Sequence, residues 1–205
     1  MTVIATTAEP PAHARTRYPI NDLLRRRWSA RTFAAMPVAP TTLGSLFEAA
    51  RWSPSAGNGQ PWSFIVADKT TDPEGFARAL ATLNESNQTW VREAPVLIFA
   101  LTRRIRPDGK EHSRAQYDLG LATKGLVVEA IERGLNVRQM AGFDAEAVRA
   151  LYQIPAEHDP IVAIAVGYPA APDPDNPPAA RERKPLEAFV FSGQFGQAYE
   201  GLQDE

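Results

Sequence analysis

Residues 53–64 read Ser-Pro-Ser-Ala-Gly-Asn-Gly-Gln-Pro-Trp-Ser-Phe and stand between a helical pattern and a strand pattern. Pro54 is expected to end the helix before it. Gly57 and Gly59 let the backbone turn and approach whatever lies over it. Asn58 and Gln60 each carry a donor and an acceptor on one side chain. Such a loop suits a planar ligand with a hydrogen-bonding edge. Taken alone, it reads first as a helix–strand turn that uses Gly and Asn for positive φ.

Helix and strand patterns alternate outward from this loop. Towards the N-terminus, Thr41 is the expected cap of a helix through Trp52, with Leu43, Leu46, Phe47 and Ala50 inward. Towards the C-terminus, Trp62 to Ala67 reads as a strand. A helix opens at Asp72 or Pro73 and runs to about Leu83, followed by a polar stretch, Asn84 to Arg92, with Trp90 expected to be exposed. Ala94 to Leu101 is a continuous apolar run and reads as a buried strand. A polar loop turning at Pro107-Asp108-Gly109 leads to the longest helical pattern, Ser113 to Gly134. Apolar residues cover more than half of that helix, so it belongs in a core or a subunit interface. Gly120 and Gly125 within it point to close packing, and Gly134 is its natural stop. Asn136 to Met140 is a short strand, Asp144 caps a helix to Tyr152, and Ile161 to Gly167 is a further buried strand.

The ends differ from this body. Residues 1–16 read as a mobile tail without a signal-peptide core, and 17–169 as one domain. The proline-rich segment from 170 onward reads as an extended arm, whose apolar tip Phe189-Val190-Phe191 suits docking on another subunit by strand addition.

Composition narrows the chemistry. The chain has 205 residues, a net charge of −2 and no cysteine. Disulfides, thiolate nucleophiles and Cys-ligated metals are excluded, and a reducing compartment, the cytoplasm, is expected. His13, His112 and His158 lack ligand spacing, so no metal is expected. Neither nucleic acid nor a membrane is an expected partner. Dinucleotide fingerprint, phosphate-binding P-loop and nucleophile elbow are all missing from the sequence. An enzyme built this way carries its chemistry on a cofactor.

The most basic patch, Arg25-Arg26-Arg27-Trp28-Ser29-Ala30-Arg31, follows a helix expected over Tyr18 to Trp28. In an extended segment Arg27, Ser29 and Arg31 point the same way. Two guanidinium groups with a hydroxyl between them can hold a phosphate. A phosphate clamp together with a Gly-Asn-Gly-Gln loop suits FMN, which joins a phosphate to a flat, polar-edged ring.

On these residues the sequence resembles the nitroreductase family of FMN-dependent oxidoreductases. The resemblance is carried by 27–33, 52–62, Gln139-Met140-Ala141-Gly142-Phe143-Asp144, Gly167-Tyr168-Pro169 and Arg183-Lys184-Pro185-Leu186-Glu187. It implies an α+β, three-layer fold, with a mostly antiparallel sheet between helices, in an intertwined homodimer whose C-terminal arms are exchanged. Two FMN would sit at the subunit interface. The resemblance places Arg27, Trp28, Ser29 and Arg31 on the phosphate side, with Arg181 and Arg183 joining from the arm. It places Asn58 on the pyrimidine edge and Pro54, Ser55 and Ala56 in a segment reaching the other subunit's flavin. Gln139 and Met140 lead to Ala141 and Gly142, whose backbone would face N5 and O4.

The implied activity is ping-pong hydride transfer from NAD(P)H through flavin N5 to a small organic acceptor such as a nitroaromatic or quinone, with no side chain assigned as catalytic. Enone reduction, reductive dehalogenation, flavin reduction, flavin breakdown and a non-catalytic flavin-binding module stand as alternatives. Two departures are visible: Thr123-Lys124-Gly125 stands where relatives often carry an amide pair, and the stretch after Leu101 is shorter than the usual substrate lid.

Overall fold

Alternation along one central strand organises the molecule into layers. In the computed structural model, which describes residues 14–171 and 181–202, β2 (Val96–Arg103) is buried along nearly its whole length. Its even-numbered residues Val96, Ile98 and Ala100 face one core, and Leu97, Phe99 and Leu101 face a second. The first core is closed by α2 (Pro40–Arg51) and α5 (Ala115–Glu132), through Leu43, Leu46, Leu119, Leu126 and Val127. The second is closed by α3 (Pro73–Ala81), α4 (Glu85–Val91) and α6 (Ala145–Tyr152), through Phe76, Ala79, Val91 and Val148. The result is the expected three-layer α+β arrangement.

The sheet is wholly antiparallel. β1 (Trp62–Asp68), β2, β4 (His158–Gly167) and β3 (Asn136–Met140) lie in the order β1-β2-β4-β3. A register shift falls between Ala100 and Leu101, where Pro160 of β4 stands opposite Leu101 and has no N–H to give. Both β1 and β3 are edges in the single chain.

Most sequence expectations hold to within a residue or two, and the differences have local causes. The first helix, α1, is confined to Asp22–Arg26, capped by Asn21 and stopped at Arg27, so the basic patch beyond it is extended. Pro40 opens α2 one residue before the expected cap, and Ala39 stands there without a side-chain bond. The stretch 84–92 is the helix α4, capped by Asn84, and Trp90 is half-buried rather than exposed, with its ring 6.4 Å from Phe33. The 103–114 stretch is a closed hairpin, with Ile105 bridged to Glu111 and Gly109 at φ 80. At the C-terminus, Phe189-Val190-Phe191 forms no strand in the sheet; Phe191 bridges to Ala198 and stacks near Phe195, and Arg17 binds Glu187 and the Leu202 carbonyl. The expected tail at 1–16 falls largely outside the described residues, as does part of the arm (172–180 and 203–205).

The two interior glycines of α5 separate on inspection. A Cβ on Gly125 would come within 2.7 Å of the Ala49 carbonyl oxygen, so α2 and α5 touch backbone to backbone there. A Cβ on Gly120 would meet nothing within 4 Å, and neighbouring Tyr117 is 69% exposed. Close packing accounts for Gly125 within the chain; Gly120 faces outward. Gly134, at φ 73, ends α5 as expected.

Gly125→Ala is expected to lower stability by about 1–3 kcal/mol despite alanine's better helix propensity, because the methyl overpacks a rigid backbone contact. Thermal unfolding should show Tm falling by roughly 2–10 °C, while Gly120→Ala, measured beside it, leaves Tm the same or higher.

Candidate functional site

Two groups of predicted residues form, each attached to a different part of α5. The first begins where α1 ends. Arg27 donates to Ser29 Oγ at 3.2 Å, so the extended geometry expected for the patch does bring the guanidinium and the hydroxyl together. Arg181, from the arm, donates to the backbone carbonyls of Arg27 and Arg25. Burial and the neighbouring charges of Arg181 and Arg183 push the Arg27 pKa down. Lys124, on α5, is pushed down as well, by burial and by Arg27. Arg27, Lys124, Arg181 and Arg183 therefore form one cluster of like charge, held together against its own repulsion. Trp28 is half-buried beside it.

The cluster extends to β3 through a residue that periodicity alone did not single out. Arg138 donates to the Ser29 carbonyl at 2.8 Å and lies 5.3 Å from the Trp90 ring centroid. Burial and the charge of Arg31 lower its pKa. The signal was available: Arg138 and Met140 share a side of a period-two strand. What was missing was the knowledge that β3 runs beside Ser29.

Immediately beyond β3 the chain makes a glycine cradle. The Gly142 carbonyl accepts from Asn84 N–H at 3.0 Å and from Asn87 Nδ2 at 3.1 Å. A Cβ on Gly142 would lie 2.3 Å from Asn84 Nδ2, so a side chain there would displace the amides that hold the turn. The Gly142 N–H has no acceptor among the described residues. Gln139 and Ala141 are exposed, while Met140 is buried in the core. Asn84 and Asn87 anchor this cradle, one as the cap and one in the first turn of the helix that reading by polarity passed over.

The second group is the loop after α2. Ser53 Oγ donates to the Leu121 carbonyl of α5 at 3.2 Å. The Ala56 N–H donates to Asp118 Oδ2 at 3.2 Å, and Asp118, on the first turn of α5, is only 2% exposed. From the second anchor onward Ala56–Asn58 makes one 3-10 turn, with Gly57 at φ 58. Asn58 and Gln60 are also left-handed, at φ 54 and 42. The Gln60 N–H donates to Ser55 Oγ, and Gln60 Nε2 donates to Asn58 Oδ1, so the Asn58 amide is oriented from within the loop. Pro54, Ala56 and Asn58 are exposed and Ser55 is half-buried.

Along α5 the loop's anchor at Asp118 and the cluster's Lys124 are six residues apart, about 9 Å of helix. Arg26 meets Glu132 still farther along, at 3.8 Å. The cationic cluster thus lies farther along α5 than the anchor of the Asn58 loop, and Arg138 ties β3, which leads into the Gly142 cradle, to Ser29 beside the cluster.

The arrangement coincides with a family pattern. The nitroreductase family model matches residues 24–168, which contain both groups except for the arm's arginines. The chain belongs to the nitroreductase family. Among curated relatives, a provisionally named NADH dehydrogenase/NAD(P)H nitroreductase of Streptomyces coelicolor is 30% identical over 166 residues, spanning 70% of this chain and 80% of that protein. The 5,6-dimethylbenzimidazole synthase of Rhodospirillum rubrum is 25% identical over 177 residues, spanning 76% and 84%. A solved structure described as an oxidoreductase containing FMN superposes with a TM-score of 0.80 at 31% identity, covering 89% of this chain and 96% of that one. Nitroreductase membership makes the protein an oxidoreductase, and the relatives' names show that the family's acceptors vary.

Asp118→Ala should cost about 1–3 kcal/mol by removing the buried acceptor of the Ala56 N–H. Hydrogen exchange followed by mass spectrometry is expected to accelerate at residues 55–60 while β2 keeps its protection. Asp118→Asn, which retains an acceptor oxygen, should show a smaller effect in both readouts.

Proposed function

We propose that this nitroreductase-family protein binds FMN and uses NAD(P)H to reduce a small organic acceptor, a nitroaromatic, quinone or similar molecule, as a homodimer. The observation that carries this reading is the like-charged cluster of Arg27, Lys124, Arg181 and Arg183 next to a glycine cradle with an uncommitted N–H. A dianionic phosphate relieves the repulsion within such a cluster. The donor set therefore fits FMN.

When bound, FMN supplies hydride transfer at N5, so reductant and acceptor can use one pocket in turn. The chain's residues bind and orient. Arg27, Ser29, Arg181 and Arg183 hold the phosphate, and Lys124 adds a fourth positive charge. Arg31 and Arg138 extend the positive field towards the cradle, where it favours anionic character in a reduced ring. The Gly142 N–H is positioned by the bonds that Asn84 and Asn87 make to its carbonyl, which leaves it as a donor towards N5 or O4. Asn58 offers an oriented amide to a pyrimidine edge.

In this reading Asn58 and its neighbours Pro54, Ser55 and Ala56 serve the flavin of a second copy. Support comes from the separation of the loop from the cluster along α5 and from the outward face at Tyr117 and Gly120. Exposed Tyr18, Ile20, Phe189, Phe195 and Tyr199 also give the ends of the chain apolar surface for a partner. Residues 17–169 would form the body and residues from 170 onward the exchanged arm. No helix among the described residues is long and apolar enough to cross a membrane, and the expected setting is cytoplasmic.

Purified protein is expected to be yellow, dimeric in sedimentation, and bleached by NADH or NADPH under anaerobic conditions. A colourless protein that cannot be reconstituted with FMN overturns the reading. Arg27→Ala should lower FMN affinity at least tenfold; normal flavin stoichiometry in dilute solution would sink the phosphate assignment.

A pH dependence follows from the lowered Lys124 pKa. The phosphate stabilises the charged ammonium and so raises that pKa on binding. Above the depressed pKa of the free protein Lys124 is neutral, and binding must then take up a proton. FMN affinity is expected to fall as pH rises through that range, and Lys124→Met should flatten the slope in a fluorescence titration of FMN.

A further inference from the structure

A cleft of about 280 Å³ opens where the Ala56–Gly59 turn meets the hairpin after β2. Arg106, His112 and Arg114 form one side, and the backbone of Gly57 and Gly59 forms the other. The volume lies near the lower end for small-molecule pockets and suits a single-ring molecule.

The charges on this cleft are uncommitted. Among the described residues neither Arg106 nor Arg114 makes a side-chain ion pair, whereas Arg104 of the same hairpin binds Asp159 and the Ala156 carbonyl. The nearby carboxylates are otherwise placed. Asp118 lies behind His112, 4.0 Å from Nε2, and is occupied by the Ala56 N–H. Asp108 accepts from the Lys110 N–H, and Glu111 lies on the bridge with Ile105, away from the cleft lining. Residues 103–114 carry five cations (Arg103, Arg104, Arg106, Lys110, Arg114) against two anions (Asp108, Glu111).

The wall is also built rather than loose. Arg106 sits in a closed hairpin, its N–H donating to the Lys110 carbonyl at 2.8 Å. Arg114 is the cap residue immediately before α5. The His112 ring presses on Gly59 so closely that a Cβ there would lie 2.8 Å from Nε2. The hairpin thus brings an imidazole and two guanidinium groups, neither in an ion pair among the described residues, up to the Asn58 loop.

We infer that this cleft is an anion subsite, in which Arg106 and Arg114 receive either the carboxylate or phosphate of a small aromatic acceptor or the 2′-phosphate of NADPH. The inference rests on the reading above, in which the Ala56–Asn58 loop meets a flavin. Guanidinium is suited to both anions because it offers paired donors in a fixed plane. The subsite selects among molecules that otherwise fit equally well over the ring.

The test uses FMN-loaded protein and two acceptors of the same size, 4-nitrobenzoate and 4-nitrobenzamide, each with NADH and with NADPH. In the native protein kcat/KM for the benzoate is expected to exceed that for the benzamide, or kcat/KM for NADPH to exceed that for NADH. In the double variant Arg106→Gln/Arg114→Gln the preference should fall at least tenfold. A loss in the acceptor ratio assigns the subsite to the acceptor, and a loss in the nicotinamide ratio assigns it to the reductant. Benzoate titrated against the oxidised flavin absorbance gives a readout without turnover. Arg106→Lys/Arg114→Lys, which keeps the charge, should recover part of the preference. Preferences unchanged in the glutamine variant, with native flavin content, overturn the subsite alone. Native protein that binds no FMN or turns over neither acceptor overturns the functional reading beneath it.

Discussion

The approach of α2 to α5 at Gly125 sets the geometry on which the site depends. Backbone meets side-chain-free backbone there, with the Ala49 carbonyl over the position where a methyl would stand. The Trp52 and Ser53 N–H groups donate to the Glu48 and Ala50 carbonyls of the last turn of α2, so the direction of the loop that follows is fixed by where α2 stops. Ser53 and Ala56 then reach α5 directly, one through a carbonyl and one through a buried carboxylate. Farther along the same helix Lys124 leans into the arginine cluster. One helix therefore references both halves of the site to each other, and its tight seat on α2 keeps that reference rigid.

Charge is distributed with a division of labour. The Arg27 cluster is partly buried, and burial together with neighbouring positive charge lowers the pKa of Arg27 and of Lys124. Arg31 and Arg138 form a second pair nearer the Gly142 cradle, with Arg138 resting on the Trp90 ring. An aromatic face accepts a cation without neutralising it, so the guanidinium remains available to an anion. Arg106 and Arg114 are exposed, and neither makes a side-chain ion pair among the described residues. A near-neutral chain can therefore present strongly positive local surfaces, and its net charge of −2 says little about the ligands it prefers.

Much of this was legible in the sequence because the decisive elements are locally encoded. The continuous apolar run of β2, the Asp72 and Asp144 caps and the Gly134 stop each act over a few residues, and each appears where the pattern places it. The contact between Arg27 and Ser29 was legible because the two are neighbours in an extended segment. Arg138, Asn84 and Asn87 were not, since their importance comes from contacts with Ser29 and Gly142 across more than fifty residues of chain. The helix α4 was hidden for a related reason. Its polar sequence supplies little amphipathic signal, and Val91 with half-buried Trp90 holds it against the core. The apolar Phe189-Val190-Phe191 tip, read as a strand, has no partner strand in the single chain and folds back on Phe195 and Ala198. Strand propensity there needs an edge to act on.

The turn at Gly57, Asn58 and Gln60 places three of four successive residues in the left-handed region, two of them not glycine. Such a backbone is costly to form and is held by the Ser55, Gln60 and Asp118 bonds. Its shape is thus set during folding, before any ligand arrives. Little conformational freedom is left to be lost on encounter, so association proceeds as docking of a rigid edge. In such a loop, changes that weaken the grip on a ligand act chiefly on how long the complex lasts, and the rate at which it forms stays close to that of the native chain.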